Sequence, residues 1–469
     1  MSEPTPAPVA AATREERDSL GTFVVPADAL YGVQTARAVD NFPISGLRAW
    51  PALVEAIVQI KKAAAHANRD LHRLDERKAE AVIAAADEVL TGRHRDQFVV
   101  DVYQAGAGTS FNMNANEVLA NRANELLGVA RGDYAQGVHP NDDVNMAQST
   151  NDVFPTAMRL AGLALAKPLI EQVDRLAGAL DEKGREFDGI LKSGRTHLQD
   201  AVPIRLGQEF AAYGAAMHKA SERIAIGADS LAELGLGGSA VGTGLNAGPE
   251  YRQLVVQYLN DLTGLPVRAG QDPVELMQSQ AAVAEFSGTL RSLALELIRI
   301  ANDLRLLSSG PRTGLGEIRL PPVQPGSSIM PGKVNPVMAE MLPMVCFQVL
   351  GCDTTIAFAT QAGQLELNVM MPVMAWNLLL SETILTNALR VFTDKCVVGI
   401  EADPLQCTYF LDRSVGLATI LNPSIGYSAA AEIAKESVKT GKSIRELVRE
   451  NNLLSNEQMD QIIGDTRQT

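Results

Sequence analysis

Aromatic residues supply only 5% of the 469 positions. That is thin material for sheet faces, whereas Ala and Leu abound, and the balance favours close-packed helices. Positive charge is also short: 41 Lys and Arg against 55 Asp and Glu leave a formal net charge of −14. Nucleic-acid binding needs a basic surface to displace counterions, so a nucleic-acid partner is not expected. An acidic protein that binds an anion must build a local positive site against its own field. The four cysteines, Cys346, Cys352, Cys396 and Cys407, show no CxxC spacing, and reduced thiols in a cytoplasm are the default reading. The longest apolar runs hold too many charges and glycines to span a bilayer, so no membrane partner is expected. The opening MSEPTPAPVAAA lacks the basic start and apolar centre of a signal peptide and reads as the beginning of a disordered tail.

An apolar share of 46% and a charged share of 20% are ordinary for a globular chain. The length predicts two to four domains, or one long helical body with satellites. Residues 1–20 read as the tail and 21–150 as a mostly helical N-terminal domain. Residues 151–403 read as a domain of long helices, and 404–469 as a small C-terminal helical domain. Gly21–Gly46 is punctuated by Pro26, Gly32 and Pro43, which predicts loop with short strands. Helical patterns begin at Pro51 and near Glu76. Long ones run from Asn151–Asp152 to about Ile190, Arg205 to Leu234, Met277 to Leu307, Pro336 to Thr360 and Leu365 to Phe392. In the third of these, Phe286, Leu290, Leu293, Leu297, Ile300, Leu304 and Leu307 alternate steps of four and three. That is a seam for side-by-side helices. Leu295 and Ile298 lie off the seam, so this helix is apolar on more than one face and belongs inside a bundle. Rods of this length usually pair with copies of themselves, which predicts a homo-oligomer.

The chemistry is concentrated in the connections. Gly326–Pro336, GSSIMPGKVNP, is one residue too long between its glycines for a phosphate-cradling loop, and Val334 stands where that loop needs a hydroxyl. It does bring two hydroxyls, Lys333 and Asn335 together in one short loop with Gly326 and Gly332, whose freedom lets a loop close over a ligand. A serine beside donors and a cation can act as a base when its alkoxide is stabilised. In Ser193–Pro203, SGRTHLQDAVP, His197 sits among hydroxyl and amide groups between helices. His66, His72, His94 and His218 lie in or beside helices and read as surface or packing residues. In His139–Asp152, HPNDDVNMAQSTND, the cluster of His139, Asp142 and Asp143 is too small for a metal centre. There Ser149, Thr150 and Asn151 present three hydrogen-bonding side chains at a helix start, where capping uses one and the dipole suits an anion. Gly106–Asn114, GAGTSFNMN, again sets hydroxyls, Thr109 and Ser110, before a helix. The glycine run Gly235–Gly248 contains GTGLNA but follows a helix instead of a strand, so it reads as a tight structural loop and not a dinucleotide site.

GSSIMPGKVNP resembles the signature of the aspartase/fumarase superfamily. GTSFNMNANEVLANR, HPNDDVNMAQSTND, GRTHLQDAVPIRLGQEF and GGSAVGTGLN match it in order and spacing, from about Gly21 onward. The resemblance implies a mostly α, three-domain subunit whose long helices associate four-fold into a twenty-helix core, each site being built from three subunits. It implies no cofactor and no metal. Ser327 would be the base that takes a proton from Cβ of a small dicarboxylate. Thr109, Ser110, Ser149, Thr150 and Ser328 would hold the resulting aci-carboxylate, and Lys333 and Asn335 the other carboxylate. Thr196, His197 and Asn151 would line the substrate, with Glu340 orienting His197. STND at Ser149–Asp152, GTS at Gly108–Ser110, RLLSSGPRTGLGEI, Val337 after KVNP, and GQLELNVMMP resemble the aspartase branch more than the fumarase branch. That implies deamination of L-aspartate to fumarate and ammonia, with hydration chemistry on L-malate, or a non-catalytic scaffold, as the alternatives. Phe111 departs from a smaller residue in many relatives, which leaves two readings: it narrows the pocket, or it packs on a neighbouring helix.

Overall fold

The computed structural model describes residues 12–464, and what it holds is mostly α. In chain order the helices are α1 (Val33–Asn41), α2 (Pro51–Asp70), α3 (Glu76–Leu90), α4 (Thr109–Leu127), α5 (Thr150–Glu186), α6 (Leu206–Asp229), α7 (Pro249–Thr263), α8 (Pro273–Gln278), α9 (Ala281–Leu307), α10 (Val337–Gln361), α11 (Met371–Lys395), α12 (Pro404–Arg413), α13 (Leu417–Ile425), α14 (Tyr427–Thr440), α15 (Ile444–Glu450) and α16 (Asn456–Ile463). Two hairpins matter here: β1 (Thr13–Asp18) with β2 (Gly21–Pro26), and β3 (Leu191–Thr196) with β4 (Gln199–Arg205). Residues 13–18 correct the expected tail, since they form a strand in full register with β2. The rest of the tail, residues 1–11, lies outside the described residues. α1 was not expected in the punctuated segment; its residues Val33, Thr35, Ala36 and Ala38 are buried.

Local chemistry explains the helix ends. α2 begins with Pro at its first turn, where no amide proton is needed. Asp75 caps α3 by accepting from the Lys78 N–H, and α4 stops at Gly128, which takes the left-handed conformation. The short helices α15 and α16 each start with a reciprocal cap, Ser443 with Glu446 and Ser455 with Gln458. They close a small core with Leu417, Leu421, Ile444 and Leu447.

At 37 residues α5 is about 55 Å long. On α9 every residue of the seam is buried, from Phe286 at 0% to Leu307 at 7% exposed. Two helices correct the expectation that every apolar run is too broken for a bilayer, because α5 and α10 are long and apolar enough by composition alone. In α5 72% of the apolar window is buried, as in a core helix, but in α10 only 39% is. Met344, Phe347 and Phe358 of α10, Leu295 of α9 and Ile226 of α6 are exposed. The chain forms two compact units. One comprises the described part of Met1–Leu169 with Arg223–Arg291 and Gln348–Ile384; the other comprises Ile170–Glu222, Ser292–Phe347 and the described part of Leu385–Thr469.

Candidate active site

In the first unit the starts of α4 and α5 lie against each other. Gly108 adopts φ +84°, which turns the chain into α4 and aims Thr109 and Ser110 from its first turn. Only hydrogen fits at that Cα: a Cβ there would come within 2.1 Å of the Phe154 ring in α5. Phe111 then packs edge-on against Phe154, with centroids 6.2 Å apart, and tilted against Phe98 at 6.1 Å. It is 1% exposed, so of its two readings the packing one holds. Asn112 closes the junction by donating from Nδ2 to Thr150 Oγ1 at 3.0 Å. Thr109 is exposed and Ser110 buried, while Ser149, Thr150 and Asn151 are half-buried. The structure therefore gathers all five hydroxyl and amide residues expected from these two loops at neighbouring helix N-termini, where backbone N–H groups favour negative charge.

The start of α5 is held by a residue read only as a cap. Asp152 accepts from the Ser149 N–H at 2.9 Å with one oxygen, and from the Gly237 and Ser239 N–H groups, both at 3.0 Å, with the other. Asn151 Nδ2 adds a bond to the Ala240 carbonyl at 2.8 Å. The glycine run presents two amides to Asp152, and what directly precedes it is a two-residue strand, Glu233–Leu234, and not the expected helix. Burial pushes the Asp152 carboxyl up to about 6. His139 and Asp143 are likewise absorbed into local structure. The His139 ring accepts from the Asn141 and Asp142 N–H groups, and Asp143 pairs with Lys78 at 2.8 Å.

In the second unit His197 sits on a feature the sequence did not announce. β3 and β4 are joined by the two residues His197 and Leu198, at φ 55° and 58°. Two successive positive φ values match the twist of a tight hairpin, but Asn-Gly is the usual occupant, and side chains as large as these are strained there. Both are exposed, as is Thr196. The hairpin is anchored below its tip by Arg195, which makes two bonds of 2.9 and 3.0 Å to the fully buried Glu317. Lys192 joins the same cluster, 2.8 Å from Glu209 and 3.3 Å from Glu317, and burial raises the Glu209 carboxyl. Arg195, Lys192 and Glu317 were not singled out from the sequence, because nothing local distinguishes them from surface charges.

The loop 326–336 is tied at its neck in the same unit. The Gly326 N–H donates to the Lys333 carbonyl at 2.9 Å, and Asn335 Nδ2 donates to the Gly326 carbonyl at 2.7 Å. A Cβ on Gly326 would meet that Lys333 oxygen at 2.3 Å. Gly326 is therefore required by close approach, and Gly332 by its φ of +79°. Inside the loop Ser327 Oγ accepts from two backbone N–H groups, those of Ile329 at 3.2 Å and Met330 at 3.0 Å. Ser328, Ile329, Met330 and Lys333 are exposed. Among the described residues, the Lys333 ammonium, the His197 ring and the Glu340 carboxylate have no hydrogen-bond or ion-pair partner within the chain. The expected Glu340–His197 pair is not formed within one copy.

The chain matches the family described as Lyase over residues 21–351, a span containing every candidate site residue, and Fumarase C C-terminus over residues 417–464. It belongs to the aspartase/fumarase superfamily. Within the superfamily it is 50% identical to the aspartate ammonia-lyase of Bacillus subtilis strain 168, over 96% of this chain and 95% of that protein. It is 51% identical to the class II fumarate hydratase of Halobacterium salinarum, over 94% of each. The solved fumarate lyase:delta crystallin of Brucella melitensis, bound to cobalt, superposes with a TM-score of 0.94 at 49% identity, covering 96% of this chain and 98% of that one.

Proposed function

We propose that the protein is an aspartate ammonia-lyase, a carbon–nitrogen lyase that interconverts L-aspartate with fumarate and ammonia. Near-full-length identity of about 50% to proteins of that name supports it. The observation that carries the chemistry is Ser327 Oγ, which receives two backbone N–H bonds. Donors fixed on an oxygen stabilise it as an alkoxide and so make a weak nucleophile a usable base. That alkoxide takes the Cβ proton, and the C–H electron pair moves into the adjacent carboxylate to give a doubly charged aci-carboxylate. Hydroxyls of Thr109, Ser110, Ser149, Thr150 and Ser328 hold this group. The pair then returns to form the C=C bond as the Cα–N bond breaks, and ammonia leaves with the bonding electrons. Lys333 and Asn335 grip the second carboxylate, while Thr196, His197 and Asn151 line the substrate. The Asn335 amide keeps the loop neck closed in the free chain through one of its two amide protons, and the second is left to donate to substrate as the loop closes over it.

The complete site is a product of assembly in this reading. The exposed apolar residues of α6, α9 and α10 are the faces that four copies would cover, three copies contributing to each site, with Glu340 of one copy orienting His197 of another. Light scattering should return about four times the 50.1 kDa chain mass; a monomer would refute the assembly.

A second reading, hydration of fumarate to L-malate, is favoured by the comparable identity to class II fumarate hydratases. The purified protein, given L-aspartate and L-malate separately, should produce the ultraviolet absorbance of fumarate from L-aspartate. Fumarate from L-malate alone would reverse the order of the two readings.

A further inference from the structure

Lys61 lies in the middle of α2 and is 0% exposed. A buried lysine ordinarily bonds a carboxylate. This one donates instead to two neutral carbonyl oxygens, Asn145 Oδ1 and Gln148 Oε1, each at 2.9 Å. Asp152 is the acid whose charge it feels. That carboxylate makes no ion pair with Lys61 and is committed to the backbone of Ser149, Gly237 and Ser239. The positive charge is therefore not neutralised by direct contact.

The bonds leading away from Lys61 have a fixed direction. Asn145 Oδ1 also accepts from Nδ2 of Asn112 and of Asn116, both at 3.2 Å. With the ammonium on that oxygen, only the NH2 side of Asn112 can face it. The same Nδ2 then donates to Thr150 Oγ1. An oxygen that already accepts from Asn112 turns its own proton elsewhere, so Thr150 is set as a donor toward the open side of the helix start. All these residues lie within the first unit.

We propose that Lys61 is a positioning residue for the reaction: through Asn145 and Asn112 it fixes Thr150 as a hydrogen-bond donor to the carboxylate on which charge accumulates. This rests on the function proposed above. A donor oriented before the reaction costs no reorganisation when the aci-carboxylate forms, so its contribution falls on turnover more than on substrate binding. Burial pulls the Lys61 ammonium down to about 7, and a second negative charge developing nearby favours its protonated form.

The test is a cycle of Lys61→Gln and Thr150→Val, with kcat and KM measured on L-aspartate and fold checked by circular dichroism. Thr150→Val should lower kcat about ten- to a hundredfold, and Lys61→Gln about tenfold with KM within threefold of wild type. The double variant should be no worse than Thr150→Val within threefold, because Lys61 acts through Thr150. Wild-type kcat in a folded Lys61→Gln protein, or losses that multiply in the double variant, would overturn the proposal. If Lys61→Gln is not recovered folded, Asn112→Leu cuts the same path while leaving both Lys61 bonds, and the same non-additivity with Thr150→Val is required. A wild-type protein inactive on both L-aspartate and L-malate would sink the functional reading, and this proposal with it, before any variant is compared.

Discussion

Replacing Gly108 by Ala tests whether the two loops at the α4 and α5 helix starts are one mechanical unit. The added methyl would stand 2.1 Å from Phe154 Cδ2, 2.4 Å from Cε2 and 2.5 Å from Cγ. Ordinary carbon contact needs roughly 3.6 Å, so the ring or the backbone must yield by about 1.5 Å. The ring has little room, being 1% exposed and packed edge-on against Phe111. Overpacking of this kind costs about 1–3 kcal/mol. An L residue at φ +84° adds about 1–2 kcal/mol, for a total of about 2–5 kcal/mol. The apparent melting temperature should fall by roughly 2–5 °C for a chain of 469 residues, read at one scan rate because unfolding of a chain this size need not be reversible. Turnover should fall on the order of a hundredfold, since Thr109 and Ser110 follow Gly108 directly and a displacement of about 1 Å suffices for that loss. Phe154→Ala in the Gly108→Ala background should restore part of the turnover while Phe154→Ala alone lowers stability. Wild-type melting and turnover in Gly108→Ala, or strictly additive effects in the pair, would refute the coupling.

Ser327→Ala should lower kcat at least about a hundredfold and leave substrate affinity largely unchanged; near-normal turnover would remove Ser327 from its role. Leu198→Gly should raise stability by about 1 kcal/mol, because it relieves a positive φ at a side chain already 71% exposed. A lower melting temperature would contradict the strain. Asp152→Asn should destabilise the fold, since an amide cannot accept on both sides, and each orphaned backbone N–H costs about 1–3 kcal/mol. The deficit should also depend on pH. The folded Asp152 carboxyl titrates near 6, above its ordinary 3.8, so its protonated form is favoured by folding and that contribution is lost as pH rises. The advantage of wild type over the variant should shrink by about 2 kcal/mol between pH 4 and pH 7. Growth of that advantage over the same range would reverse the sign and discard the argument.

Periodicity made the long helices legible, because α9 buries one continuous seam and a three-four alternation is visible in any such stretch. The starts of α15 and α16 are set locally by their Ser-x-x-Glu and Ser-x-x-Gln boxes. β1 and α1 were not legible. The strand is a charged TREERD that owes its pairing to β2, and α1 is held by Glu117 far along the chain, which accepts from the Gly32, Gln34 and Thr35 N–H groups. The candidate site divides in the same way. Ser149, Thr150 and Asn151 could be found because three adjacent polar groups before an apolar run exceed what capping needs. Lys61 could not, because KK within α2 reads as a solvated face. Its burial is decided by Asn145 and Gln148, more than eighty residues away.

In the proposed function a chain of net charge −14 meets the demand for a positive site in its first unit largely without exposed cations. The N-termini of α4 and α5 lie together, each carrying the partial positive charge of a helix start. Their first-turn hydroxyls translate that field into directed bonds, and Gly108 permits the close approach of the two helices. In its protonated form Lys61 adds a positive charge beneath them, out of reach of water and of counterions that would screen it. Much of this field is rigid, because it comes from backbone and from side chains such as Thr150 and Lys61 that are themselves hydrogen-bonded. Rigidity is what separates stabilising a transient dianion from merely attracting a dicarboxylate, since an attraction shared equally by substrate and intermediate lowers no barrier. Variants that loosen these helix starts should therefore depress kcat before they raise KM, whereas loss of the Lys333 charge, which contacts the unreactive carboxylate in the proposed mechanism, should raise KM first.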